Sequence, residues 1–73
     1  MTIDAALNKA TRRLAAAGLD EPRREAASLL AFTLDKPHAF LIAHPDHVLA
    51  ESERQAFDQA VARRESRDVT RET

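Results

Sequence analysis

Three histidines, a dense set of carboxylates and three arginine doublets are the side chains of this sequence able to do chemistry. His44 and His47 stand three apart with Asp46 between them, a spacing that on a helix presents two imidazoles to one metal ion. Pro45 breaks any helix across the pair, so the segment reads as a polar loop. His38 follows Pro37 in the first turn of a helix and has no partner nearby. Glu21 and Glu25 lie one helical turn apart, and Glu51 and Glu53 share a turn. Such pairs take an acid–base role only where burial or like charge in a cleft shifts a pKa, and both read as solvent-facing. Ser28, Ser52 and Ser66 lack a His and an Asp at usable spacing, and nothing resembles a nucleophile elbow. The single glycine leaves no phosphate-cradling loop. Zero cysteines remove disulfides, thiolate metal sites and a Cys nucleophile. No catalytic, cofactor-binding or metal-ligating residue is expected.

The doublets Arg12-Arg13, Arg23-Arg24 and Arg63-Arg64 carry more information. The first and third fall near helix C-termini, where a cation complements the helix dipole. Arg23-Arg24 falls in a first turn, where a cation is mildly unfavourable, offset by Asp20, Glu21 and Glu25. Nine of the eleven basic residues are Arg, which suits planar contacts to carboxylates or phosphates. Arg23, Arg24, Arg63 and Arg64 are the candidate partner-binding residues. A net charge of −1 gives no field toward nucleic acid or an anionic membrane. The residues after Arg24 alternate acid, Ala and Leu and form no recognition-helix surface, so no direct nucleic-acid contact is expected.

These side chains must be positioned by a very small fold. Seventy-three residues allow one domain. Of the 44% hydrophobic residues, fifteen are Ala, so bulky core formers are few and helices are favoured over turn-rich β structure. Thr2 is the expected N-cap. Ile3, Leu7, Ala10, Leu14 and Ala17 then form a helical stripe, and Gly18 suits a left-handed C-terminal stop with Leu19 folding back. Pro22 opens a second helix, with Asp20 or Glu21 at its N-cap. Its buried face is Ala26, Leu29, Leu30, Thr33 and Leu34, and Asp35-Lys36-Pro37 ends it. Phe32 lies off that face and is expected against a third helix. That helix, from Pro37 to about Ala43, is apolar nearly all round, which predicts packing on more than one side. A fourth helix spans roughly Glu51–Glu65, with Ala56, Phe57, Ala60 and Val61 inward. From Arg63 to Thr73 Val69 is the one apolar residue, so that tail is expected as frayed helix or disorder. The fold class is all-α, a small antiparallel bundle of four to five helices. The domain is 1–65, and 66–73 is a polar tail or the start of an interdomain linker. No apolar stretch is long enough to span a bilayer, and Met-Thr-Ile-Asp is acidic where a signal peptide is basic. The chain is expected to be cytoplasmic and off the membrane.

The run Gly18-Leu19-Asp20-Glu21-Pro22-Arg23-Arg24-Glu25-Ala26-Ala27-Ser28-Leu29-Leu30 is similar to the G-(I/L)-x-x-(P/A)-R-x-(D/E)-A-x-x-L-L segment of the release factor glutamine methyltransferases, the HemK-type protein-(glutamine-N5) methyltransferases. Phe40–Pro45 resembles that family's L-L-A-H-P segment. Leu49–Glu53 resembles its L-(S/T)-x-E-(Q/E) helix start, and Phe57–Arg64 its F-x-x-x-(V/L)-x-R-R stretch. The four segments keep the family's order over residues 1 to about 65. The resemblance implies a helical N-terminal domain that helps to bind class I peptide chain release factors. Methylation of the Gln in their Gly-Gly-Gln loop then falls to an S-adenosylmethionine-dependent catalytic domain beyond this chain. The Asn-Pro-Pro-Tyr motif of that domain is absent, so the resemblance assigns no catalytic or cofactor-binding residue here. Its implied partners are the release factor and the protein's own catalytic domain. Ala50 departs from the family's Ser or Thr N-cap, at a cost of about 1 kcal/mol. Residues 67–73 lack the Pro, Tyr and Gly of the family's linker. The alternative is a free-standing, non-catalytic interaction or regulatory module, homodimeric through residual apolar surface at Phe32 or Phe40.

Overall fold

The first helix, α1 (Ile3–Ala16), starts at Thr2 because Thr2 Oγ1 accepts the Ala5 N–H at 3.1 Å. A helix start leaves its first amides without intrahelical partners. Here the loop after the third helix supplies two more acceptors, the carbonyls of His47 and Pro45, each 2.9 Å from the Ile3 and Asp4 nitrogens. The Leu49 N–H donates to the Met1 carbonyl at 2.8 Å, and Thr2 bridges Val48. Cap and strap together fix where α1 begins. At its other end Gly18 takes φ 92°, the left-handed region. The Gly18 and Leu19 amides donate back to the Ala15 and Leu14 carbonyls, a Schellman closure, and Leu19 packs against the core.

The computed structural model describes the backbone of residues 1–70 and side chains through Ser66. Within that range the chain is all-α: α1, then α2 (Pro22–Leu34), α3 (His38–Ala43) and α4 (Glu51–Thr70). Pro22 opens α2 with Glu21 as its N-cap residue and no side-chain cap bond. Asp35, left-handed at φ 57°, ends it; Asp is among the few side-chain-bearing residues that tolerate this region. The tight turn at Gly18 sends α2 back against α1. Short α3 and the strap return the chain to the start of α1, so α4 runs parallel to α1 and antiparallel to α2.

The core is Ile3, Ala6, Leu7, Ala10 and Leu14 from α1, Ala26, Leu30 and Ala31 from α2, Leu41 from α3, Leu49, and Phe57 and Val61 from α4. The many alanines let the helices approach closely. Several expectations need correction. Leu29, Thr33 and Leu34 are only half-buried, and Ala56 is exposed. Phe32 is 88% exposed rather than packed on α3, because it points off the stripe that meets α1 and α4. Helix α3 is not packed on several sides: Leu41 is buried, Phe40 half-buried and Ile42 81% exposed. It also begins one residue later than expected, with Pro37 as its extended N-cap. Helix α4 continues past Glu65 to Thr70, since no Gly or Pro follows Pro45 to stop it. Residues 71–73 of the expected tail lie outside the described residues. No described helix is long and apolar enough to cross a membrane.

Candidate partner-binding surface

Helix α2 is flanked by two grooves, and the arginine doublet at its start sends one side chain toward each. Arg24 and Arg64 share the first, a polar groove of about 570 Å³ between the Gly18–Glu21 turn, α2 and α4. Its charges are cross-paired. Arg64 Nε donates to Glu25 Oε1 at 3.1 Å, joining α4 to α2, and Arg24 meets Glu21 at 3.2 Å on the exposed rim. Glu25 is half-buried because Arg64 covers it, so the Glu21–Glu25 pair is not simply solvent-facing.

Arg23 faces the second groove, about 310 Å³ between α1, α2 and α3. Buried Ile3, Leu7 and Leu41 lie beneath it, and exposed Ile42 forms part of its wall. Arg23 donates to Asn8 Oδ1 at 3.1 Å, a neutral acceptor, and Asn8 in turn donates to Asp4 Oδ2 at 3.5 Å. Arg63 is exposed on α4, lines neither groove and pairs with no carboxylate among the described residues. The four candidate arginines are therefore not one patch: two share the polar groove, one sits on the apolar groove and one stands apart.

Sequence reasoning missed the strongest cross-link. Arg13, read as a dipole partner at the end of α1, forks onto Glu65 through Nε and Nη2 at 3.2 and 2.9 Å. It also reaches Asp58 at 2.6 Å. The Glu65 hydrogen bond raises the already high pKa of the Arg13 guanidinium, against a desolvation that lowers it. Nothing in the local sequence could signal a partner so distant along the chain. The start of α4 keeps half a capping box. Ala50 is its N-cap, its carbonyl accepting from Arg54 and its N–H donating to Glu53 Oε1 at 2.8 Å. Its methyl cannot return the second bond. Glu51, bonded by Arg54 and Gln55, has its pKa lowered chiefly by the Arg54 hydrogen bond.

The histidine loop is used structurally. Phe40 contacts the rings of His44 and His47 at centroid distances of 4.6 and 5.5 Å, while the loop's carbonyls cap α1. Among the described residues no group of three His, Asp or Glu is placed to hold a metal ion. The sequence's single glycine closes α1, and the roomier groove is lined by Asp20, Glu21 and Glu25 together with Arg24 and Arg64.

A sequence profile of the family described as the PrmC N-terminal domain matches residues 5–68. Proteins named release factor glutamine methyltransferase from Vibrio cholerae, Koribacter versatilis and Moorella thermoacetica are 39%, 38% and 41% identical to the chain over 64 residues. Each alignment covers 88% of this chain but only 22%, 23% and 23% of the relative. The chain thus spans less than a quarter of the length of these curated relatives. No solved structure matches it. The profile runs from the first turn of α1 into the last turns of α4, and this chain belongs to the PrmC N-terminal domain family.

Proposed function

We propose that this chain is the substrate-recognition part of a release factor glutamine methyltransferase, binding a class I peptide chain release factor without catalysing the transfer itself. The observation that carries the reading is the family match over all four helices, with relatives whose names state that activity. In such an enzyme S-adenosylmethionine supplies a transferable methyl group, and a separate catalytic domain holds it. The part played by these residues is to bind and orient the protein substrate in the cytoplasm. Of the four candidate arginines, Arg23 and Arg63 are offered to a partner's carboxylates, since neither is committed to an ion pair among the described residues. Arg24 and Arg64 contact a partner only by giving up Glu21 and Glu25.

Titration of the chain with a class I release factor, followed by calorimetry, tests this. Saturable binding is expected, weakened by charge reversal at Arg23 and Arg63. The absence of any binding overturns the recognition role. One observation favours a second reading, a free-standing homodimeric module: Phe32 is 88% exposed on α2. Phe40 no longer serves that reading, being half-buried against His44 and His47. Sedimentation at several concentrations decides it, and a monomer at all of them removes the dimer.

A further inference from the structure

We infer that the groove between α1, α2 and α3 is a docking site for a protein segment that presents an apolar side chain next to a carboxylate. The inference rests on the reading of this chain as a substrate-binding domain and names the surface and the chemistry of what it binds.

Two independent features of the groove point to such an occupant. The first is its apolar content. Ile3, Leu7 and Leu41 close the bottom of the groove, each under 10% exposed, while Ile42 stands 81% exposed at its edge. A branched aliphatic side chain this exposed beside an apolar floor is surface that a partner's side chain removes from water. Ala27, at the same place on α2, is small enough to leave that room. The volume, about 310 Å³, admits one or two side chains rather than a cofactor.

The second feature is charge. Arg23 is exposed at the lip, and its one hydrogen-bond partner among the described residues is the neutral carboxamide of Asn8. The two carboxylates beside it, the N-cap Glu21 and Glu25 in the first turn of α2, are spent elsewhere, Glu21 on Arg24 and Glu25 on Arg64. Its guanidinium therefore faces the groove with a charge that no carboxylate within ion-pair distance answers among the described residues. A fork of this kind is suited to a carboxylate taken bidentately. Asp4 lies on the same lip, one Asn8 side chain away. It repels an acid at its own end and so gives the segment a direction, carboxylate toward Arg23. With Asp4 beside Arg23 on the lip and a net charge of −1 on the chain, neither a nucleic acid nor an anionic membrane is matched. The polar groove on the other side of α2 offers no equivalent, since an occupant must first break existing ion pairs.

The test uses amide chemical-shift mapping and affinity measurement on the chain and three variants: Arg23→Glu, Ile42→Asp and, as a charge control on exposed α1 surface, Arg12→Gln. With a class I release factor, shifts are expected around Arg23, Ala27 and Ile42. Arg23→Glu and Ile42→Asp should each weaken binding at least tenfold, and Arg12→Gln less than twofold. Unchanged circular dichroism and melting of the variants confirm that they fold. If the release factor binds but the shifts fall elsewhere, or both groove variants bind as the wild type does, the docking site is overturned and the recognition reading stands. If the release factor does not bind at all, the recognition reading falls. The groove is then judged on synthetic helical peptides carrying one Leu-Asp pair or one Leu-Lys pair. Groove shifts with the Leu-Asp peptide alone support the site, and equal shifts or none overturn it.

Discussion

The two sides of α2 are built from similar residue types and end in opposite states. Toward α4, arginines and glutamates answer one another, with Arg64 on Glu25 and, alongside, Arg13 on Glu65 and Asp58. Toward α3, one arginine meets a neutral amide, and an isoleucine stands in water. The first arrangement holds helices together; the second leaves chemistry unspent. The lesson is that an arginine's neighbours in space, not its position in a doublet, decide whether it is structural or available. Arg23 and Arg24 are consecutive, and the helix turns them to different grooves.

The largest expected effect probes the apolar side. Leu41 is the one buried side chain that α3 contributes among the described residues. Leu41→Ala should cost about 2–4 kcal/mol, by lost burial and a residual cavity. Chemical denaturation checks the size, and hydrogen exchange should show α3 opening before α1 and α4. A cost below about 1 kcal/mol would mean that α3 is hardly anchored and the groove has no fixed wall. The next effect probes the ion-paired side. Arg13→Ala should cost about 1–2 kcal/mol, since its forked bonds are partly shielded from water. That loss should shrink in about 1 M salt, where surface charges are screened, while the Leu41→Ala loss should not. Equal salt responses would erase the distinction between the two sides.

Ala50→Ser acts in the opposite direction. It completes the capping box at the start of α4 and should stabilise by about 1 kcal/mol, read as a rise in melting temperature. No rise would show that the Ala50 conformation cannot present a hydroxyl to Glu53. The smallest effect is electrostatic and local. The Arg54 bond lowers the Glu51 pKa in the folded state, so this contact favours folding above the unfolded pKa. Its contribution is lost as pH falls through the lowered folded value. Carboxyl NMR should find the Glu51 midpoint below that of an ordinary glutamate, and Arg54→Ala should return it to the usual range.

Local signals in the sequence were enough for most of the fold. Thr2, Gly18, Pro22 and Asp35-Lys36-Pro37 mark helix starts and stops by chemistry that acts within a few residues, and all four mark helix ends in the structure. The stripe from Ile3 to Leu14 is buried for the same reason: a periodic face needs no knowledge of what covers it. Local signals do not say which face of a helix meets a partner. Phe32 and Ile42 are apolar, yet no helix among the described residues covers them. Helix α4 runs to Thr70, past the expected Glu65, because a polar stretch without Gly or Pro has no local reason to end. Family membership was legible in the order of four short segments, since Gly18, Pro22 and the Arg-Arg positions are tied to backbone geometry and surface.

The sequence by itself determined an all-α chain, its caps and breaks, its small-residue core and the absence of any cysteine or glycine-loop chemistry. Those properties follow from backbone dihedrals, side-chain size and composition, which act over a turn or two. Only the tertiary structure decided that the 44–49 loop caps α1, that Arg13 locks α4, and that Arg23 and Arg24 face different surroundings. These contacts join residues far apart in sequence, and a hydrogen bond or an ion pair depends on distances that no spacing along the chain records.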